Sequence, residues 1–135
     1  MAIRTLGLLA VVGIVLSSCQ SMNLTQSASC NEQQCHVKVT VNDCNVTLDP
    51  DIIKITRPRV EIHWDIATAD YTFTSDGIVV QNDSRNEFSG GHLSEQGRKF
   101  TLNDKNSFRN EYKYVVKVKR GEVACRPLDP SIVNN

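Results

Sequence analysis

The chain is short of almost everything that announces a chemistry. Its 135 residues carry no net charge, because 15 Lys and Arg balance 15 Asp and Glu. No basic surplus is therefore available for counterion-releasing contact with nucleic acid. Methionine is scarce, with two residues, and neither a Met nor a His follows Cys125. That removes the soft ligand set of a small copper sandwich. There is no Gly-x-Ser-x-Gly elbow and no Gly-rich strand-turn-helix for a phosphate. The longest apolar run, Leu6 to Leu16, is eleven residues. As a helix it would rise only about 16 Å, against a hydrocarbon core of about 30 Å. Nowhere do apolar residues recur at the i, i+3, i+4, i+7 spacing of an amphipathic helix. What remains is 40% hydrophobic and 22% charged residues, the balance of a folded domain rather than a disordered one.

The first nineteen residues read as an address. Arg4 is the only charge before the eleven-residue apolar run, and Ser17-Ser18-Cys19 follows it. These lengths suit the n- and h-regions of a signal peptide. Leu16-Ser17-Ser18-Cys19 resembles the lipobox of bacterial lipoproteins. The resemblance implies that residues 1–18 are removed, that the Cys19 thiol carries a diacylglyceryl group, and that the new amine is acylated. At about 0.8 kcal/mol per buried CH₂, several chains make a stable membrane anchor. Gln20 stands where an Asp would mark inner-membrane retention, so the resemblance implies the outer membrane, with the domain facing the periplasm. Removing residues 1–18 takes away Arg4 alone among the charged side chains and leaves 14 basic against 15 acidic residues.

Four cysteines stay in the mature chain: Cys30, Cys35, Cys44 and Cys125. In an oxidising compartment an even set reads as two disulfides. Cys30–Cys35 with Cys44–Cys125 is the favoured pairing, and pairings that exchange partners at Cys125 stay open. The Cys-x4-Cys spacing lacks the second tight Cys or His pair of a structural zinc site.

Residues 19–34 are mostly Ser, Gln, Asn and Thr without a period, and are expected to be a flexible tether. From residue 35 to 135 the dominant period is two. Cys35, Val37, Val39 and Val41 alternate with polar residues, as do Val60, Ile62, Trp64 and Ile66, and then Tyr112, Tyr114, Val116 and Val118. Cys44–Leu48, Asp51–Ile55, Lys99–Leu102 and Glu122–Cys125 are shorter candidates. Asp76-Gly77 reads as a hairpin turn between Tyr71–Phe73 and Ile78–Gln81. The Gly-containing stretch 82–98 reads as a long loop, and Pro127 and Pro130 as breakers of the tail.

About seven to eight short antiparallel strands, each with one apolar face, predict an all-β, immunoglobulin-like β-sandwich. A small closed barrel is the second choice of fold. Trp64 is the expected centre of the core. Ile62-His63-Trp64, Asp76-Gly77-Ile78-Val79-Val80, Tyr112-Lys113-Tyr114 and the ending Asp129-Pro130-Ser131-Ile132-Val133-Asn134 are similar to a group of small uncharacterised proteobacterial proteins. That resemblance implies one β domain and no activity.

Alternate residues of a strand share a face, so Glu61, His63 and Asp65 project together. They are the one weak candidate for a divalent metal or a pH-sensitive patch, and an ordinary solvated face explains them as well. His92 in the 89–97 loop and His36 on an outward position carry no assigned role. Lys113, Lys117 and Lys119, with Arg120, form a charge row that could meet anionic lipid or an acidic partner. Protection of an edge strand is the preferred account. Three Asn-x-Ser/Thr matches, at Asn23, Asn45 and Asn82, are coincidence in a bacterial lipoprotein. The expectation is a non-enzymatic, cofactor-free, lipid-anchored envelope protein that binds an envelope protein or glycan and no nucleic acid. An inhibitor or immunity protein against a cell-wall hydrolase, using the 89–97 loop as a plug, is the alternative.

Overall fold

The computed structural model describes residues 26–135. Cys19 and the lipobox lie outside the described residues. The strands are β1 (Ser27–Cys30), β2 (Gln34–Asn42), β3 (Asn45–Asp49), β4 (Ile52–Ile55), β5 (Val60–Ile66), β6 (Thr72–Val80), β7 (Phe88–Ser94), β8 (Lys99–Asp104), β9 (Asn110–Arg120), β10 (Val123–Ala124) and β11 (Ser131–Asn134). One 3₁₀ turn, Glu95–Gly97, precedes β8. None of the described elements is a helix long and apolar enough to cross a membrane.

Two sheets face each other. The first runs β1-β4-β11-β9, with β6 along one side of β9 and β10 continuing the β11 side; the second runs β3-β2-β5-β8-β7. The all-β sandwich of the sequence reading is what forms, with corrections. The strands number eleven rather than seven to eight. The sheets are mixed rather than antiparallel throughout: β1 and β11 both pair parallel with β4, and β2 pairs parallel with β5.

The period of two is realised without a break in β2, and in β5 with His63 as the one exception. In β2 every second residue from Cys35 to Val41 is buried and every other one is exposed. Asp43 (φ 46°) and Cys44 (φ 62°) then turn the chain into β3, the two-residue left-handed hairpin that matches strand twist. Trp64 is fully buried and its Nε1–H donates to Tyr114 Oη at 3.2 Å, so the two sheets share one satisfied polar contact at mid-core. Phe73 meets Phe100 edge-on between the sheets, with ring centroids 6.1 Å apart.

Both disulfides run from sheet to sheet. Cys30 of β1 joins Cys35 of β2, with Cα atoms 5.8 Å apart, and Cys44 of the β2–β3 hairpin joins Cys125, just beyond β10, at 4.9 Å. They fasten the sandwich on two sides.

Four expectations about segments change. Ser27–Cys30, expected inside a tether reaching residue 34, is a strand on β4, with Ala28 opposite Ile53 and Cys30 opposite Ile55. Asp76-Gly77 makes no hairpin. β6 passes through it as a bulge, because Phe73 and Ile78 both find inward partners on the long β9, at Val118 and Val116. Gly77 is required there, since an added Cβ would lie 2.7 Å from Phe73 Cβ. The stretch 82–98 contains β7, whose pairing with β8 shifts register between Ser89 and His92 to absorb Gly90 and Gly91. Finally, the chain beyond Pro130 enters the first sheet as β11, between β4 and β9, and buries Ile132 completely.

Candidate functional site

The outward face of the second sheet gathers all three histidines of the chain in one cross-strand row. His36 on β2 pairs with His63 on β5, His63 with Thr101 on β8, and Thr101 with His92 on β7. The His36 and His63 rings stack, with centroids 4.9 Å apart and planes 12° off parallel. Covered by that ring, His63 is buried although it faces outward. Its Nδ1 is 3.1 Å from Thr101 Oγ1. Glu61 Oε1 lies 2.6 Å from Nε2 but off the line of an N–H bond, so this contact is not an aligned hydrogen bond. His92 Nδ1 sits 2.9 Å from the Gly90 carbonyl and remains exposed.

Glu61, His63 and Asp65 do share this face, but the structure divides them. Glu61 goes to His63, while Asp65 lies 3.5 Å from His36 Nδ1 and 3.4 Å from Lys99 Nζ. Among the described residues no three His, Cys, Asp or Glu side chains converge as a metal centre. His36, given no role from sequence, is the residue that shields His63.

Glu61 also borders a cleft of about 450 Å³ at the end of the sandwich where β2 and β5 begin and β8 ends. Gln33, Gln34, Arg59, Asn103, Asp104 and Lys105 complete its polar lining. Arg59 adopts a left-handed backbone (φ 58°), held by its N–H donating to the Lys105 carbonyl at 3.0 Å. Such a conformation in a residue with a Cβ persists only where neighbours impose it. Neither Arg59 nor Lys105 has an ion-pair partner among the described residues, so two cations stand free at the cleft.

Asp104 forms the floor. It pairs opposite Val60 on the inward side of β8 and is 1% exposed. Its Oδ1 accepts from the Asn106 N–H at 2.8 Å and from Asn134 Nδ2 at 3.1 Å, and its Oδ2 has no partner. Burial pushes its pKa up to about 6, Asn106 and Asn134 oppose the rise, and the charges of Glu87 and Asp83 add to it. Beside it Glu87 is also buried. Burial alone would raise Glu87, but the Ser107 hydroxyl and amide together with the Phe108 amide outweigh that and hold it below the ordinary carboxylate value. Ser107 Oγ and N sit 2.6 and 2.7 Å from its oxygens. Sequence reading missed this group because its members come from separate segments, with no spacing to relate them.

The lysine row lies on the other sheet and does not guard an edge. β9 is flanked by β6 on one side and by β10 and β11 on the other. Lys113 reaches Ser131 Oγ at 2.6 Å and Glu111 at 3.8 Å. Lys117 binds Asp76 at 2.6 Å and is the main reason that carboxyl titrates below its ordinary value.

The cleft and the histidine row are contiguous through Glu61. Together they present amides, imidazoles, free cations and carboxylates. No family model matches the chain, and no curated protein matches it either.

Proposed function

We propose that the chain is a non-enzymatic, lipid-anchored protein of the bacterial outer membrane. Cys19 holds it to the lipid, and its disulfide-stapled sandwich binds another envelope component, a protein or a glycan, through the polar cleft and the adjoining histidine face. The observation that carries the reading is the pair of sheet-to-sheet disulfides in a domain that also carries a polar cleft whose cations are unpaired. The former belongs in an oxidising compartment, and the latter is built for recognition. Affinity capture from envelope extract with the mature chain tests it. The expected result is a retained partner whose recovery falls when Arg59 and Lys105 are changed to Gln; equal recovery with the variant sinks the cleft as the binding site.

The second reading, inhibition of a cell-wall hydrolase by insertion of residues 89–97, would use the exposed edge strand β7 and the 3₁₀ turn that follows it. On the first reading, assays against lysozyme-type and amidase-type enzymes are expected to show no inhibition.

A further inference from the structure

We propose that the outward face of the first sheet rests on an anionic phospholipid surface, so that the histidine face and the cleft point away from the membrane. The proposal deepens the reading of an anchored protein and depends on it for orientation. Lys113, Lys117 and Lys119 point outward from β9, because Tyr112, Tyr114, Val116 and Val118 are buried between them. Lys54 joins them from β4, opposite Val133 in the register. Edge protection does not account for lysines on an interior strand. Between them lie Ile52, Val115 and Val133, all partly exposed, and Val79 at 37% exposure. Cations interleaved with short apolar side chains are what an interfacial surface carries.

Charge separates the two faces. On the first sheet four lysines meet only Glu111 and Asp76, and Lys54 and Lys119 have no ion-pair partner among the described residues. On the second sheet Lys38 lies opposite Asp49 and Asp65, and Lys99 opposite Asp65, while Glu61 lies between Gln34 and Asn103. An anionic leaflet would attract the first face, whose lysines outnumber its carboxylates.

The length of chain before β1 keeps the domain close. Eight residues, Cys19 to Gln26, precede the strand, and a fully extended chain gains at most about 3.6 Å per residue. The reach is about 29 Å. β1 is itself the edge of the lysine-bearing sheet, so the anchored end leaves from that sheet and not from the opposite one.

Lysine acetylation footprinting on the full-length protein purified from membranes tests this. It is placed in lipid discs of phosphatidylcholine alone or of an equal mixture with phosphatidylglycerol. Lys54, Lys113, Lys117 and Lys119 should lose reactivity several-fold in the mixed discs only, while Lys38 and Lys99 stay unchanged. The protection should vanish in about 1 M salt, where the screening length is about 3 Å. In the double variant Lys54→Gln, Lys119→Gln the attraction to the anionic surface falls about fivefold for each lysine removed, so the lipid protection at Lys113 and Lys117 should be lost. Equal reactivity in both lipids overturns the proposal, as does protection of Lys38 and Lys99. Protection that is indifferent to phosphatidylglycerol does so too, and would indicate a second copy of the chain. If intact mass shows no acyl chain, the anchor reading fails separately. The same protein sedimented with the two vesicle compositions then decides the face: preferential retention on the mixed vesicles upholds it, and equal retention overturns it.

Discussion

Single residues hold this sandwich at points where a polar group is buried or a Cβ has no room. Trp64 and Tyr114 are both fully buried, and among the described residues each supplies the other's only side-chain hydrogen bond. Tyr114→Phe leaves the indole N–H without a partner, at a cost of about 1–3 kcal/mol. A lower midpoint in urea denaturation, with unchanged slope, is the expected result. Asp104 gives a pH signature. Its pKa is about 6 when folded and about 3.9 when unfolded, so the folded state holds the proton more tightly. Its contribution is fully present below pH about 4 and is lost as pH rises through about 6. Asp104→Asn keeps an oxygen for Asn106 and Asn134 but cannot ionise. The stability of the variant relative to the parent should therefore rise by about 2–3 kcal/mol between pH 4 and pH 7; a constant difference across that range refutes the assignment.

At the scale of elements, the staples and the last strand decide cohesion. The loop closed by Cys44–Cys125 spans 81 residues of sequence separation, against 5 for Cys30–Cys35. By chain entropy the first is worth about 4–5 kcal/mol and the second about 2 kcal/mol. Replacing Cys44 and Cys125 by Ala should lower the unfolding free energy about twice as much as replacing the other pair. β11 is not an ornament of the tail: it lies between β4 and β9 and is the link through which β4 and β1 belong to their sheet. Ending the chain after Pro130 should abolish cooperative thermal unfolding. A truncated chain that melts as sharply as the full one would show that β1 and β4 are held by the staple and core alone.

For the whole molecule, the two outward faces differ in chemistry: one carries lysines among short apolar side chains, the other the histidine row. On the proposed anchoring at Cys19, the basic face and the histidine-rich face would orient the domain before it meets a partner. Intact mass of the membrane-derived protein, before and after reduction, checks both supports of that picture. An acylated chain beginning at Cys19 is expected, gaining about four hydrogens on reduction, two per disulfide. An unacylated mass would remove the orientation argument and leave the fold untouched.

The all-β class, the strands β2, β5 and β9, the central Trp64 and the favoured cysteine pairing were legible from sequence. For the strands the signal is local: an alternation repeated three or four times fixes which side of a strand is buried, whereas the cysteine pairing rested on an even set of four in an oxidising compartment. β7 and β11 were not legible, because Phe88 with Leu93, and Ile132 alone, are too few apolar residues to show a period. Asp76-Gly77 misled for a related reason. The dipeptide favours a turn in isolation, but eleven residues of β9 offer pairing on both sides of it, and that long-range ladder prevails. The site was divided in the same way. Sequence placed Glu61, His63 and Asp65 on one face, since residues two apart on a strand must share it. Only the tertiary structure could bring His36 and His92 into their row, set Arg59 and Lys105 over Asp104, or put the lysines on an interior strand. Those relations depend on which strands become neighbours and in what register, and that is settled by burial of the whole core at once.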